Sequence, residues 1–459
     1  MTKKPNILFL MSDEHRADLS GYAGNDVIRT PILDNLAETG VVFRNAYTPS
    51  PICVPGRQCL MAGQLPTTCN CFSFWDDLTP NYMTFAKRFS QYAYSTVCSG
   101  KLHHHGSDQM QGWTQRIAAD SNMAPQYIEG RIEEEFARYK PIAGTGKWSN
   151  QREVEEAGPK DGPCQRFDRN ATNASLEFLE EYFKDSAYNR PGSHRPLLHK
   201  VSLLQPHYPF YGDEGLFNYY LDRVPLYRQQ PCDHPILSLS QQNKPVDVSE
   251  ENIRRATASY YSMTEKVDSH YGEVLSQLKN LGENLDEWII VYTSDHGEML
   301  GEHGIWEKTR FYEGSVRVPL IIRWPKGFDG GRVVDENVNL CDLFATLCDL
   351  AGIEVPEGLD SRSLVPLLKG QACQWQNETI SQIGRGDSIH VMIKQDALKY
   401  QYYGEGIPEV LFDLEKDPDE MVNVAATPEY VKAMSAFRER LSELGHGPNA
   451  DSGYKNAGY

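Results

Sequence analysis

Three things are scarce in this chain, and each scarcity excludes something. No apolar run is long enough to cross a bilayer, so no membrane span is expected. Positive charge is in deficit, with 45 Lys and Arg against 63 Asp and Glu and a formal net charge of −18. That excludes nucleic acid and anionic membranes as general partners, while a locally basic pocket can still take a small anionic substrate. Paired CxxC motifs are missing, and the ten cysteines follow no repeated spacing, which speaks against a structural zinc site. Cys69 and Cys71 stand too close for an ordinary disulfide loop, and most of the cysteines are expected as buried thiols of a reducing compartment. Internal repeats and low-complexity tracts are absent too. The opening "MTKKPNILFLMSDEHR" runs from a short apolar stretch straight into charge, with no cleavage site. It reads as a first β-strand rather than a signal peptide, which gives a cytoplasmic expectation. Without secretion, the acceptor-like "NAT", "NAS" and "NET" carry no meaning.

What is present is a folded composition: 459 residues, 40% hydrophobic and 24% charged, enough for one large domain and a smaller one. Short apolar runs read as buried parallel strands: Asn6–Met11, Val41–Tyr47, "YSTVCSG", Leu197–Leu204, Glu287–Ser294 and Val318–Pro325. Helical patterns lie between them. "TPILDNLAETG" has Thr30 as cap, Pro31 at the first position and Gly40 as stop, "MTFAKRFSQ" is a second, and Glu250–Leu281 is a long third. Strands alternating with helices predict an α/β fold with a large, mostly parallel sheet. The stretches 118–160 and 212–246 read as polar and irregular insertions. After Lys369, four short strands in quick succession and a helix, "PEYVKAMSAFRERLSEL", predict a small antiparallel sheet with one helix. The expected division is an α/β domain over 1–369 and an α+β subdomain over 370–459.

Chemistry-bearing residues gather just past the predicted strands, where open α/β sheets bind ligands. Asp13 follows the first strand, and Asp295 and His296 follow "WIIVYTS". Two carboxylates and an imidazole suit a divalent cation, but an aspartate after a strand also caps turns, and position alone leaves both open. In "SPICVPGRQC", Pro55 suits a first helical turn. Cys53 would then sit at a helix N-terminus that favours anions, with Arg57 one turn on. For a lone cysteine the plainer reading is a buried thiol. Lys101 and His103 in "STVCSGKLHHHG", His207 in "LLQPHYPF" and Lys308 in "GIWEKTRFYE" follow other apolar runs or lie shortly after the Asp295–His296 pair. One edge of the sheet would collect them all.

At these residues the chain resembles the type I sulfatases of the alkaline phosphatase superfamily. "CVPGR" matches the C-x-P-x-R signature. "PNILFLMSDEHRAD", "GVVFRNAYTPSPICVPGRQCLMAGQLP", "SGKLHHHG", "TSDHGEMLGEHGIWEK" and "LFDLEKDPDEMVNVA" match family blocks in the family's order. The choline-sulfatase-like and phosphonate-hydrolase-like branches look most similar. The resemblance implies an alkaline-phosphatase-like sheet sandwiched by helices and the hydrolysis of a sulfate ester. It implies that a formylglycine-generating maturation enzyme oxidises Cys53 to formylglycine, whose hydrate attacks sulfur. It implies one divalent metal, Ca²⁺ by preference with Mn²⁺ or Mg²⁺ as alternatives, on Asp13, Cys53, Asp295 and His296. Arg57, Lys101 and Lys308 would neutralise the sulfate oxygens, His103 would act as the base that releases sulfate, and His207 with Lys308 would assist the leaving oxygen. Departures from the pattern are Gly56 for Ser or Ala, Ala62 for Thr, His296 where many members have Asn, and Glu14 for Asp or Gln. Glu14 is one methylene longer than Asp, which puts its place among the metal ligands in question. Three rivals remain: a phosphonate or phosphate ester hydrolase using the same site, a catalytically silent sulfoglycan-binding protein, and a two-zinc phosphatase, for which extra ligands and a Ser or Thr nucleophile are not found.

Overall fold

In the computed structural model, which describes residues 4–118, 120, 149–184, 194–228, 230–239 and 245–447, the first strand is central. The main sheet is built from Ile7–Ser12 (β1), Val41–Phe43 (β2), Ser95–Gly100 (β3), Gln115–Arg116 (β4), Leu197–Ser202 (β5), Ile289–Ser294 (β6), Leu320–Arg323 (β7) and Arg332–Val334 (β8). Their order is β8-β2-β7-β6-β1-β5-β3-β4. β7 alone runs against its neighbours β2 and β6, and the other pairings are parallel.

Strand alternation explains why the sheet is covered on both faces. Ile7, Phe9 and Met11 point into one core with Leu60, Met61, Phe85, Phe89 and Phe344. Leu8 and Leu10 point into the other with Leu33, Ala171, Leu179, Val267 and Tyr271. Helices Pro31–Thr39 (α1), Pro163–Phe183 (α3) and Glu250–Asn280 (α4) supply the second face, and Cys53–Ala62 (α2) lies on the first. A strand buried on both sides needs the continuous apolar run that the sequence shows. Each fully buried Leu, Ile or Phe in these layers is worth about 1.5–3 kcal/mol.

The C-terminal strands Glu378–Ile383 (β9), His390–Gln395 (β10), Leu398–Tyr402 (β11) and Val410–Asp413 (β12) form an antiparallel meander. Helix Val431–Glu443 (α5) packs Met434, Phe437 and Leu441 on its Ile380, Val391 and Tyr400 face. The opposite face, with Met392 and Phe412, packs on Tyr47, Met299 and Phe311 of the main body.

Several expectations need correction. Val41–Tyr47 is two strands: β2 joins the main sheet, while Ala46–Tyr47 pairs with Arg317–Val318 and Val338–Asn339 in a separate small sheet. The stretch 212–246 is less irregular than its polarity suggests. It holds a helix, Glu214–Leu221, whose first N–H groups are capped by the Asp213 carboxylate. In 118–160, Ser149–Glu156 is helical, while residues 119 and 121–148 lie outside the described residues. Thr30 does not cap α1 through its side chain; its hydroxyl bonds Asp34 and accepts from the Gly21 N–H. The cysteines are buried thiols, apart from the exposed Cys373.

Candidate active site

Four neighbouring parallel strands, β6, β1, β5 and β3, end on one line. Ser12 is in register with Ser294, and Ser202 with both Met11 and Gly100. Asp13, Asp295 and Lys101 therefore emerge side by side at the carboxyl edge. Gly100 must be glycine: its φ is 84°, and a Cβ there would lie 2.0 Å from the Ser202 carbonyl oxygen. α2 begins with Cys53 at this edge and is buried along its whole length.

Arg57 organises the cluster. Its Nε donates to Asp295 Oδ2 at 2.7 Å, one terminal nitrogen to Asp13 Oδ2 at 2.9 Å, and the other to the Lys101 carbonyl at 2.7 Å and Ser202 Oγ at 2.9 Å. One planar fork thus holds both carboxylates by the same kind of oxygen. Lys101 also pairs with Asp13 Oδ2. Burial pushes Asp13 up, yet Lys101, His207, Arg57 and His296 together hold its carboxyl well below the usual range.

The remaining oxygens face the other way. Asp13 Oδ1 lies 3.9 Å from Cys53 Sγ and 3.9 Å from His296 Nε2, and Asp295 Oδ1 lies 3.8 Å from His296 Nε2. His296 Nδ1 is 2.9 Å from the Gly297 carbonyl, so it carries the proton and leaves the Nε2 lone pair toward the cluster. The ligand atoms of Asp13, Cys53, Asp295 and His296 all lie within 4.8 Å of one another, and all four residues are buried. Two carboxylate oxygens, a correctly oriented imidazole and a fourth donor fit a divalent cation. Cys53 Sγ stands where formylglycine would place an oxygen. Burial and Asp13 push this thiol up, but Lys101, Lys308 and His296 outweigh them and hold it below its ordinary value.

Glu14 does not join that set. Its Oε2 accepts from Lys308 Nζ at 2.8 Å, and its backbone N–H binds Asp295 Oδ1 at 3.1 Å. Lys308 Nζ also lies 2.8 Å from His207 Nε2 and over the Tyr208 ring at 4.3 Å. Burial pushes the Lys308 ammonium down and the Glu14 carboxyl up, but the close contact with Glu14 wins for the lysine, which is held well above its ordinary value. Asp13, Glu14 and His207 form a second converging set. The Lys308 ammonium bonds two of its three members, so a lysine supplies the positive charge there.

His103 sits at the rim, 5% exposed, with its carbonyl accepting from Gln58 Nε2 at 3.2 Å. Burial, with Lys101 and Arg57 nearby, lowers its imidazole well below the ordinary value, so it is neutral. Backbone in the left-handed region gathers here: Glu14 (φ 64°), His103 (59°), Glu307 (68°) and Thr309 (74°). Side chains rarely adopt this conformation, and its clustering marks functional sites. The structure thus brings together Asp13, Cys53, Arg57, Lys101, Asp295, His296, His207 and Lys308, with His103 at the edge. Sequence reasoning missed Ser202, Gln58, Tyr208 and the aromatic ring against His103, Phe74, at 5.4 Å. Ser202 carried a weak signal, as the polar residue two positions before the end of the expected strand Leu197–Leu204, and the observed strand ends on it; the others carried none.

Gly56 has a physical reason. A Cβ would sit 3.0 Å from the Ser50 carbonyl oxygen, 3.1 Å from that of Asp295 and 3.2 Å from Thr48 Oγ1. α2 therefore lies closer to the Asp295 strand end than a serine would comfortably allow.

A large mostly parallel sheet between helices, with this donor set at its strand ends, is the architecture of the alkaline-phosphatase-like hydrolases. The family described as Sulfatase matches residues 5–353, and the one described as N-sulphoglucosamine sulphohydrolase, C-terminal, matches 301–446. A choline-sulfatase of Rhizobium meliloti (strain 1021) is 33% identical over 454 residues, covering 93% of this chain and 83% of that protein. An arylsulfatase of Clostridium perfringens (strain 13 / Type A) is 28% identical over 473 residues, covering 95% and 94%. The phosphonate monoester hydrolase structure of Agrobacterium radiobacter superposes with a TM-score of 0.80 at 24% identity over 96% of this chain and 95% of that one, a likeness of fold. The chain belongs to the sulfatase family and is a sulfuric ester hydrolase. Among the described residues no helix is long and apolar enough to cross a membrane.

Proposed function

We propose that Cys53 is converted to formylglycine by a maturation enzyme, and that the matured chain cleaves a sulfate ester at the β1–β6 edge. The observation that carries this is the convergence of Asp13 Oδ1, Asp295 Oδ1 and His296 Nε2 on position 53. These atoms would hold one divalent cation, Ca²⁺ by our reading because hard oxygen donors dominate once an oxygen replaces sulfur. When bound, the cation supplies Lewis acidity at the sulfate and at the nucleophile. Hydrated formylglycine supplies two hydroxyls, one to attack sulfur and one whose deprotonation returns the aldehyde and releases sulfate.

The chain's own groups divide the remaining work. Lys101 and Lys308 offer positive charge to the sulfate oxygens as it shifts in the transition state. Arg57 holds both aspartates in register and adds its charge from behind. His103, neutral by burial and by the cations around it, is the base for the second hydroxyl. Lys308 and His207 face the leaving oxygen, and the ammonium carries the proton. We read 370–459 as a C-terminal α+β subdomain, whose meander packs on the main body through Met392 and Phe412. We place the protein in the cytoplasm.

Co-expression with a formylglycine-generating enzyme, metal loading and assay on sulfate esters of aryl alcohols, sugars and choline test the reading. Sulfate release that depends on Cys53 conversion supports it. A matured, metal-loaded protein that cleaves a phosphonate monoester and no sulfate ester contradicts it.

A further inference from the structure

His207 stands on a turn rather than on a strand, and a helix on the second face of the sheet holds that turn. β5 ends at Ser202, and the chain reaches the imidazole five residues later. Asp168, fully buried in α3, meets this turn with both carboxylate oxygens. Oδ1 accepts from the Leu204 N–H at 2.6 Å, and Oδ2 accepts from the Gln205 N–H at 3.0 Å and from Gln205 Nε2 at 2.9 Å. The turn then closes on itself, with the His207 N–H donating to the Leu204 carbonyl at 3.1 Å. Among the described residues, the hydrogen bonds of Asp168 all go to Leu204 and Gln205.

The same helix holds the chain on the other side of the imidazole. Cys164, one helical turn before Asp168, places its Sγ 3.7 Å from the carbonyl oxygens of both His207 and Tyr208. Gln165 Nε2 donates to the Tyr211 carbonyl. One end of α3 thus grips 204–211 before and after His207. A buried carboxylate is a costly way to hold a loop. Burial pushes Asp168 up to about 7, while the N–H groups of Leu204 and Gln205 pull it back down. What the carboxylate adds over apolar packing is direction, because it fixes two successive peptide N–H groups at once. His207 needs direction, since its Nε2 meets the Lys308 ammonium at 2.8 Å. The Gln205 carbonyl also accepts from the Asp13 N–H, but at 3.4 Å, and the Asp13 carboxylate has its own holders in Arg57 and Lys101.

We propose that Asp168 is a positioning residue for the leaving-group step, acting through the 204–207 turn to keep His207 Nε2 on Lys308 Nζ, a reading that rests on the role given to that pair above. Asp168 touches neither the substrate nor the metal ligands. Its effect is carried by backbone, from the Leu204 and Gln205 N–H groups to the Leu204 carbonyl and on to the His207 N–H. A displacement of about 1 Å at a reacting group can cost about 10²-fold in rate, so a small loosening of this turn reaches the chemistry. The cost falls on esters whose leaving oxygen needs the lysine's proton, and spares those that leave unaided.

The test compares the wild type, Asp168→Asn, His207→Ala and the double variant, all matured and metal-loaded, on propyl sulfate and nitrophenyl sulfate. Asp168→Asn keeps the volume and sets an amide NH₂ against the N–H donors of the turn. Its kcat should fall about 10- to 100-fold more on propyl sulfate than on nitrophenyl sulfate, with KM little changed. In the His207→Ala background the same substitution should leave the ratio of the two rates as it was. Equal losses on both esters, a further change of ratio without His207, or loss of the bound metal overturns the proposal. Should Asp168→Asn not fold, Gln205→Met removes one of the three bonds and must move the ratio in the same direction; an unmoved ratio overturns the proposal. Crystal structures of the wild type and of the variant that folds read the geometry without turnover. His207 Nε2 should leave its contact with Lys308 while Asp295 and His296 keep their places, and an unmoved His207 overturns the proposal. If the wild type cleaves no sulfate ester, these structures still decide whether Asp168 positions His207, so failure of the activity and failure of the positioning are told apart.

Discussion

Lys308 Nζ lies 2.8 Å from His207 Nε2, so the imidazole meets the ammonium with a lone pair. His207 Nδ1 lies 2.6 Å from the Tyr208 carbonyl and must therefore carry the ring's proton. Glu14 holds the same ammonium from the other side at 2.8 Å. In the mechanism proposed above, the proton for a leaving oxygen would therefore come from the lysine, with His207 setting its direction.

Loss of either member of this pair should hurt poor leaving groups most. Lys308→Met and His207→Ala should reduce turnover of a sulfated sugar or alkyl ester about 10²–10⁴-fold and that of nitrophenyl sulfate far less, since nitrophenolate leaves unaided. His103→Ala should slow both alike, because the base acts after the alcohol has gone. Equal losses on both substrates in His207→Ala would remove it from the leaving-group role.

Arg57→Lys keeps the charge and loses the fork. Asp13 Oδ2 and Asp295 Oδ2 would no longer share one planar partner. Metal affinity should fall about 10–100-fold, measured by titration with elemental analysis of the dialysed protein. Unchanged affinity would mean that the fork does not set the carboxylates.

Asp13→Asn and Asp295→Asn should lower metal content and abolish activity while the far-ultraviolet circular dichroism stays near that of the wild type. Glu14→Gln should retain the metal, because its carboxylate meets Lys308 and lies outside the four-residue set. Metal lost in Glu14→Gln, with metal kept in Asp295→Asn, would reverse the assignment.

Gly56→Ser restores the residue usual in this motif and adds a Cβ 3.0–3.2 Å from three oxygens. Overpacking of this kind costs about 1–3 kcal/mol, and urea denaturation of the variant should show a lower midpoint. A midpoint equal to the wild type would show that α2 moves away from Asp295 without cost.

The sheet was legible because β1 and β6 are buried on both faces and read as apolar runs ended by polar residues, and because β3 and β5 keep shorter apolar stretches around buried polar residues such as Thr96, His199 and Lys200. That same feature placed Asp13, Lys101 and Asp295 on one edge. The long helix was legible from its helical pattern alone, and the structure adds the cap, Ser249, which accepts from the Asn252 N–H. The break within Val41–Tyr47 was not legible. Both halves are apolar, and the two residues that turn the chain between them, Arg44–Asn45, are too short an interruption to announce a change of sheet. The Glu14–Lys308–His207 contact joins residues far apart in sequence, and no local pattern announces it. Phe74 and Trp75 lie among polar residues, where an aromatic pair carries no periodicity. Thr30 misled because a Thr-Pro start has the chemistry of a cap, while Asp34 and the Gly21 N–H take its hydroxyl instead.

By the proposed mechanism, position 53 becomes the nucleophile for sulfate ester cleavage. The direct test uses preparations matured to different extents, each metal-loaded. The fraction of Cys53 converted is read by mass spectrometry of its tryptic peptide, as sulfur replaced by oxygen, and set against the rate of nitrophenyl sulfate hydrolysis. The account predicts a straight line through the origin, with Cys53→Ala lying on it at zero. A substantial rate at zero conversion, or a rate independent of conversion, would contradict it.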